Sequence, residues 1–151
     1  MELKERESVG AESHQAISAK EPAPEPIPML PNEEQVSLTT LLPRVRQFAD
    51  KKARLATITC LDVGGGFELI YHFDQNLELS HLRLPVGEDE EVPSISGVYL
   101  AAFLVENEIK ELFGVKITGL AVDYGGRLLL SADGPQTPMR KDSQATGSAK
   151  P

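Results

Sequence analysis

The first regular pattern of apolar positions predicts a helix near residue 40. Between residues 38 and 49, apolar side chains recur every three or four positions, the spacing of one helix face: Leu38, Leu41, Leu42, Val45, Phe48 and Ala49. We expect Thr39 or Thr40 to cap this helix and Pro43 to lie in its first turn, which tolerates proline. The other face predicts a solvated surface or a basic edge for an acidic partner; it carries Arg44, Arg46, Asp50, Lys51, Lys52 and Arg54.

Strand patterns follow this helix. Residues 55–63 are rich in Thr, Ile, Leu and Val. Over 67–74, Phe67, Leu69, Tyr71 and Phe73 alternate with Glu68, Ile70, His72 and Asp74, which predicts a strand with one buried face. The glycines at 64–66 between them predict a hairpin turn with positive φ angles. They do not predict a phosphate-binding loop, because such a loop needs a Lys, a Ser or Thr and a following helix.

A third strand is predicted at residues 79–86. The apolar positions before residue 80 are out of phase with those after it, which predicts a bulge near Ser80 and His81. Pro85 has no backbone N–H to donate, so we expect that end of the strand to lie at a sheet edge. The acidic run at 88–91 lacks the alternating carboxylates of a calcium loop and predicts a solvated turn.

The longest apolar pattern predicts a second helix. Its stripe steps by four and three residues through Val98, Ala102, Val105, Ile109 and Leu112. We expect Ser94 or Ser96 to cap this helix and Gly114 to end it in a left-handed conformation. Glu106 and Lys110 are spaced for a favourable i,i+4 pair.

These elements predict an α+β fold. After the second helix, Gly125-Gly126 suggests a short hairpin or a strand that closes the sheet, with Asp123 and Arg127 pairing across the turn. We expect one domain over residues 37–130, in which two amphipathic helices cover a small mixed or antiparallel sheet. Two tails are expected to be disordered: the acidic, proline-rich residues 1–36 and the small, polar residues 131–151.

Composition narrows the possible functions. The chain has 151 residues with 15 Lys and Arg against 23 Asp and Glu, a formal charge of −8, so binding to nucleic acid is not expected. Cys60 is the only cysteine, which excludes an internal disulfide and a cluster held by this chain's thiolates; we expect a packed thiol. The charged N-terminus and the short uncharged stretch at 92–105 predict a soluble, cytoplasmic protein.

Two groups of side chains are candidates for chemistry. His72 and His81 can face each other on neighbouring strands, with Asp74 nearby, which suggests a metal site or exposed strand histidines. An acidic cluster near the end of the second helix suggests an acid/base pair, a solvated face or a docking surface; it comprises Glu106, Glu108 and Glu111. Because Glu108 and Glu111 oppose the helix dipole near its C-terminus, they suggest an external cation or a positively charged partner surface.

Three segments in the second half of the chain carry a family resemblance. They are FELIYHFD at 67–74, LRLPV at 82–86 and EVPSISGVYLAAFLVENEIKELFGVKITG at 91–119. In this order they resemble the thirty-kilodalton subunit family of complex I, the NADH:quinone oxidoreductase. In the family's Glu-Arg-Glu-x-x-Asp-x-Phe-Gly motif, Asn107 replaces Arg and Glu111 replaces Asp. The family's Gly-His-Pro-Asp-Leu-Arg-Arg segment is absent after Gly119.

The resemblance implies a function in electron transport. Family members without the His-Pro segment are similar to subunits of membrane-bound energy-converting nickel–iron hydrogenases, so that type of complex is favoured over complex I. The resemblance implies a non-catalytic structural subunit on the cytoplasmic side, peripheral to the membrane, which supports electron transfer coupled to ion translocation. Its implied partners are the large catalytic subunit, the iron–sulfur subunits and, indirectly, membrane subunits. It also implies no cofactor in this chain, with iron–sulfur clusters and a nickel–iron site in the partners.

The resemblance gives the charged residues of the second helix and its sequel a predicted role in docking. This set comprises Glu106, Glu108, Lys110, Glu111, Asp123 and Arg127. Two alternatives stay open at this point. One is a free-standing metal-dependent enzyme that uses His72, His81 and Asp74, and the other is a regulatory module whose proline-rich tail recruits partners.

Overall fold

A computed structural model describes residues 28–141 and contains six strands and two helices. In chain order these are β1 (Glu33–Gln35), α1 (Leu38–Asp50), β2 (Arg54–Asp62), β3 (Gly66–Gln75), β4 (Glu78–Gly87), β5 (Glu91–Pro93), α2 (Ala102–Phe113) and β6 (Lys116–Thr118). Four strands form a mixed sheet in the order β1-β4-β3-β2, and β5 and β6 form a separate parallel pair. The predicted α+β class is confirmed.

The core lies between one face of the four-stranded sheet and the two helices. Alternate residues of β3 and β4 supply the sheet side, and Leu41, Val45, Ala102 and Ile109 supply the helix side. The stacked rings of Phe48 and Phe73, 4.4 Å apart, join α1 to this sheet. No described helix is long and apolar enough to cross a membrane.

Helix α1 begins earlier than its sequence suggested. Ser37 is the N-cap, and its backbone N–H donates to Thr40 Oγ1 at 2.9 Å, so the expected caps at Thr39 and Thr40 are wrong. Pro43 lies in the second turn and not in the first. The helix tolerates its missing N–H because the buried neighbours Leu41 and Val45 hold this turn against the sheet.

The central strands follow the predicted alternation. Gly64 and Gly65 have φ angles of 77° and 81° and make the predicted turn, whereas Gly66 is the first residue of β3. A Cβ atom on Gly66 would lie 2.6 Å from the Val86 carbonyl oxygen, so close strand approach is what requires this third glycine. The β3–β4 register runs without a shift from Gly66 to Gln75.

The predicted bulge at Ser80 and His81 is therefore wrong. Leu79 is out of phase with the later apolar positions because it lies half exposed on the outer face of the sheet. The register shift lies instead in the β2–β3 pair, between Leu55 and Thr57 of β2. The expectation for Pro85 is confirmed locally. Strand β1 pairs only with residues 81–83, so within residues 28–141 no strand pairs with Pro85 on that side.

The two ends of α2 differ in how well they were predicted. Gly114 ends the helix with a φ angle of 77°, as expected. At the other end, Ala101 is the N-cap, and the proposed caps Ser94 and Ser96 lie in the preceding turn and bind other partners.

The predicted hairpin at Gly125-Gly126 is wrong. Residues 119–141 form an irregular segment, here called the C-terminal coil, that runs along α2.

The described structure extends beyond the predicted domain limits of 37 and 130. Strand β1 pairs in parallel with β4, and near the other end Met139 N–H donates to the Leu112 carbonyl oxygen at 3.0 Å. The expectations for tails at 1–36 and 131–151 otherwise concern residues 1–27 and 142–151, which lie outside the described residues.

Candidate functional site

Glu111 ties the C-terminal coil to α2. Its carboxylate accepts backbone N–H groups from Leu128, Leu129 and Leu130 at 3.0, 2.9 and 2.7 Å. Burial alone would raise the pKa of Glu111, but these three hydrogen bonds hold that pKa below its ordinary value. A carboxylate at the end of α2, unfavourable for the helix dipole, is therefore the acceptor for three consecutive backbone donors of the coil.

Asn107 makes a second connection to the coil. Its Nδ2 donates to the Val122 carbonyl oxygen at 2.8 Å and to the Phe103 carbonyl oxygen at 2.7 Å. Its Oδ1 accepts the Tyr124 N–H at 2.9 Å. An Arg at this position, as in the family motif, could not accept that bond because a guanidinium has donors only.

Glu106 joins α2 to the turn that precedes it. Its carboxylate accepts the Ser94 hydroxyl at 2.5 Å and the Ile95 N–H at 2.7 Å. Ser96 Oγ lies 2.6 Å from Ser94 Oγ and accepts the Ala121 N–H at 2.8 Å. Burial raises the pKa of Glu106, against the opposing effect of its two hydrogen bonds.

The structure thus divides the six predicted docking residues into two groups. Glu106 and Glu111 are buried and serve the chain's own backbone. The other four lie at the surface: Glu108, Lys110, Asp123 and Arg127. The two predicted ion pairs are wrong, because Lys110 Nζ binds Asp123 Oδ2 at 2.6 Å instead of reaching Glu106, which leaves Arg127 without that carboxylate.

Exposed apolar side chains that the sequence pattern did not indicate lie on the same two segments as these four residues, at α2 and the coil. These are Leu100, Leu104, Val122, Tyr124 and Leu129, all exposed, and the Tyr124 ring lies 6.3 Å from that of Phe103. We call the nine side chains together the α2–coil surface. Leu100 and Leu104 lie four residues apart and off the buried stripe of α2, which is the one signal that could have indicated them.

The histidines lie on the sheet face opposite the helices. His72 and His81 face each other across β3 and β4, as predicted, with their Nδ1 atoms 2.7 Å apart, and His72 Nε2 lies 2.9 Å from Thr59 Oγ1. The pKa of His72 is lowered, mainly by burial and in addition by the neighbouring His81. Asp74 turns away and binds Arg54 at 2.6 Å. Within residues 28–141, no three His, Cys, Asp or Glu side chains are grouped to hold a metal.

A buried ion cluster on the same face was not predicted. Arg83 binds Glu33 at 2.6 Å and Glu68 at 2.7 Å, and the hydrogen bond from Arg83 is the main cause of the lowered pKa of Glu33. The three residues come from three different strands, β4, β1 and β3, so nothing local in the sequence indicates the cluster.

Cys60 is buried as expected, and burial, assisted by the nearby Asp62, raises its pKa to about 12.

Known proteins are similar to this chain in sequence and in fold. The family model of the respiratory-chain NADH dehydrogenase 30 Kd subunit matches residues 34–149. The C subunit of NADH-quinone oxidoreductase from Ruegeria pomeroyi is 33% identical over 113 residues, 66% of this chain and 52% of that protein. The protein of the same name from Cereibacter sphaeroides is 36% identical over 89 residues, 54% and 40% of the two chains.

A solved structure agrees in fold. A chain of the membrane-bound sulfane sulfur reductase, an archaeal respiratory membrane complex, has a TM-score of 0.61 and 24% identity over 73% of this chain and 69% of that one. This chain spans about half the length of the curated relatives it matches. Since the family model covers most of the chain, including α2 and the coil, this protein belongs to the family of the respiratory-chain NADH dehydrogenase 30 kDa subunit.

Proposed function

We propose that this chain is a non-catalytic, structural subunit of a membrane-bound respiratory complex, placed on its cytoplasmic side. In this proposal it docks on the large catalytic subunit, next to the iron–sulfur subunits, and supports electron transfer coupled to ion translocation. The redox cofactors belong to those partners. The match of residues 34–149 to the 30 kDa subunit family is the observation that carries the proposal.

The use of the polar side chains supports a structural role. The carboxylates that were candidates for acid/base or metal chemistry each bind a partner within the chain. Glu106 and Glu111 accept hydrogen bonds from backbone N–H groups, and Asp74 binds Arg54. Cys60 is buried with its pKa raised to about 12, which disfavours the reactive thiolate. These polar side chains therefore stabilise the fold of the chain itself.

We further propose that the α2–coil surface contacts the large subunit. It combines exposed leucines with Tyr124. This composition is typical of protein interfaces, which have an apolar and aromatic centre and a polar rim. At the rim, Glu108 and Arg127 have no partner among the described side chains, so a partner can pair with both. Glu111 and Asn107 hold the coil in place and thereby preform this surface.

The docking proposal is tested by reversing the two free charges. In cells that make the assembly from the native gene position, the variant Glu108→Lys with Arg127→Glu is compared with Glu91→Lys, a control at an exposed residue of β5. We expect the double reversal to lower the yield of intact complex at least about fivefold while circular dichroism of the isolated chain is unchanged. Equal yields for the double variant and the control would refute the docking surface.

Between the two types of complex, we propose the energy-converting nickel–iron hydrogenase type. The reason is the absence of the Gly-His-Pro-Asp-Leu-Arg-Arg segment after Gly119, where the chain continues instead as the coil that binds Glu111. Isolating the native complex through a tag on this chain and identifying its subunits and metals decides the question. Nickel and a hydrogenase large subunit support the proposal, and an NADH-binding subunit contradicts it.

A regulatory module is the competing class, in which the proline-rich N-terminus recruits partners. The test is deletion of residues 1–27, which spares Glu33 and its ion pair with Arg83. The structural proposal expects the complex to assemble without these residues. Loss of the partners on this deletion would favour the regulatory class.

A further inference from the structure

The tip of the β3–β4 hairpin carries a leucine in an unusual position. The loop consists of Asn76 and Leu77, between the last paired residues Gln75 and Glu78, and its φ angles are 56° and 67°. Two-residue hairpin loops with two positive φ angles favour Asn or Asp followed by Gly. Asn76 fits this rule, but Leu77 stands where glycine is preferred, because a Cβ atom is unfavourable in the left-handed conformation.

Leu77 is unfavourable for the isolated chain in a second way. Leu77 is 95% exposed, the largest value among the exposed large apolar residues of 28–141. A single exposed leucine is ordinary in a folded protein. The combination is not, because a polar residue or glycine would suit both the backbone and the solvent. Among residues 28–141, Leu77 is also the only apolar side chain with a positive φ angle.

The loop nevertheless holds Leu77 firmly. Its backbone N–H donates to Asp74 Oδ1 at 3.0 Å, and Arg54 fixes the other oxygen of that carboxylate at 2.6 Å. Gln75 Nε2 donates to the Lys51 carbonyl oxygen at 3.2 Å, which ties the hairpin to the turn after α1. The leucine is therefore presented on a defined backbone, and little ordering is needed when it binds.

We propose that Leu77 is a docking knob that inserts into an apolar socket on a neighbouring protein subunit. This inference rests on the proposed function, that the chain is a subunit of a larger complex, and concerns a surface distinct from α2 and the coil. Transfer of a well-exposed leucine from water into a closed apolar socket is favourable in proportion to the apolar area that is buried.

The charges beside the tip define the partner. On the β2 side lie Lys51 and Lys52, both exposed, and on the β4 side lies Glu78. Asp50 precedes the lysines, while Arg54 and Asp74 neutralise each other. The socket is accordingly expected to have a carboxylate facing the lysines and a cation facing Glu78. An anionic membrane fits less well, because Glu78 opposes it and one leucine anchors a protein weakly.

The first experiment replaces Leu77 in the full chain, in cells that make the complex. Leu77→Asn suits the left-handed backbone and removes the apolar side chain, so any loss of assembly is not caused by misfolding. Leu77→Met keeps the apolar side chain. We expect Leu77→Asn to lower the amount of chain recovered with the complex at least about tenfold, and Leu77→Met less than about twofold. Equal recovery of both variants and wild type would overturn the inference.

A second experiment locates the contact. Because the native Cys60 is buried, Leu77→Cys introduces a single accessible thiol. We expect its alkylation to slow at least about tenfold in the detergent-solubilised complex relative to the free chain, while Arg46→Cys on the exposed face of α1 reports on general access. Equal alkylation rates of Leu77→Cys in the complex and in the free chain would overturn the proposed role of Leu77 but leave the proposed function standing. Protection that exists only in native membranes overturns it in favour of lipid, and a wild-type chain isolated without partners overturns both proposals.

Discussion

Glu106 offers a direct test of the idea that α2 uses its acidic side chains to hold the fold. Replacing Glu106 by Ala leaves the buried Ile95 N–H without its acceptor, whereas the Ser94 hydroxyl can turn to Ser96 Oγ at 2.6 Å. An unsatisfied buried donor costs about 1–3 kcal/mol, so we expect Glu106→Ala to lower the free energy of unfolding by at least about 1–3 kcal/mol. Glu106→Gln keeps an oxygen for the Ile95 N–H and is expected to cost far less.

The comparison with Gln also predicts a pH dependence. Burial raises the pKa of Glu106, so the folded carboxyl holds its proton more tightly than the unfolded one. As the pH rises above 4.5, the ordinary value, the unfolded chain loses this proton first. The contribution of Glu106 to stability is therefore fully present below that pH and is lost as the pH rises through the folded pKa.

The assay is urea unfolding of the isolated chain, followed by far-ultraviolet circular dichroism from about pH 4 to about pH 8. The stability of wild type minus that of Glu106→Gln removes the contributions of all other groups, and we expect this difference to fall as the pH rises. Glu108→Gln, two residues away and exposed, serves as the control and is expected to change stability by less than about 0.5 kcal/mol. A difference that is constant or rises with pH would refute the reasoning.

Three further predictions concern the sheet. Gly66→Ala forces a Cβ atom against a backbone oxygen at 2.6 Å and is expected to destabilise the chain by about 1–3 kcal/mol in urea unfolding, whereas Gly97→Ala, with open space around it, is expected to be neutral or slightly stabilising. Glu33→Ala removes one of the two carboxylates that bind the buried Arg83, and because Glu68 still pairs with it, the expected cost in urea unfolding is about 1–3 kcal/mol. Cys60 should react with thiol reagents only on unfolding, and rapid modification of the native chain at about pH 8 would contradict its burial and raised pKa.

The elements that sequence patterns predicted well are those whose evidence is local. The alternation over 67–74 became β3, with Phe67, Leu69, Tyr71 and Phe73 in the core and His72 on the outer face. Gly64, Gly65 and Gly114 adopt the positive φ angles expected of them. In each case the deciding interactions lie within a few residues, so the sequence window contains the cause of the structure.

The errors arise where a polar side chain has a distant partner. Ser94 and Ser96 have the chemistry of helix caps, but they bind Glu106 and the backbone of Ala121 instead. Glu111 resembles a solvated acid at helical spacing, yet its donors lie 17 to 19 residues further along the chain. Helical periodicity separates apolar from polar faces, and it contains no information about a buried polar face that is satisfied by a coil.

The sequence by itself determined the α+β class, the core faces of β3 and β4, the end of α2 and the family resemblance, because these follow from hydrophobic period, turn chemistry and ordered motifs. Only the tertiary structure decided which acidic residues face the solvent, since that depends on the backbone donors of a segment that the chain brings back onto α2. It likewise decided the pairing of β1 with β4, whose partners lie 48 residues apart at Glu33 and His81, because long-range contacts are formed by the whole fold and not by any local window.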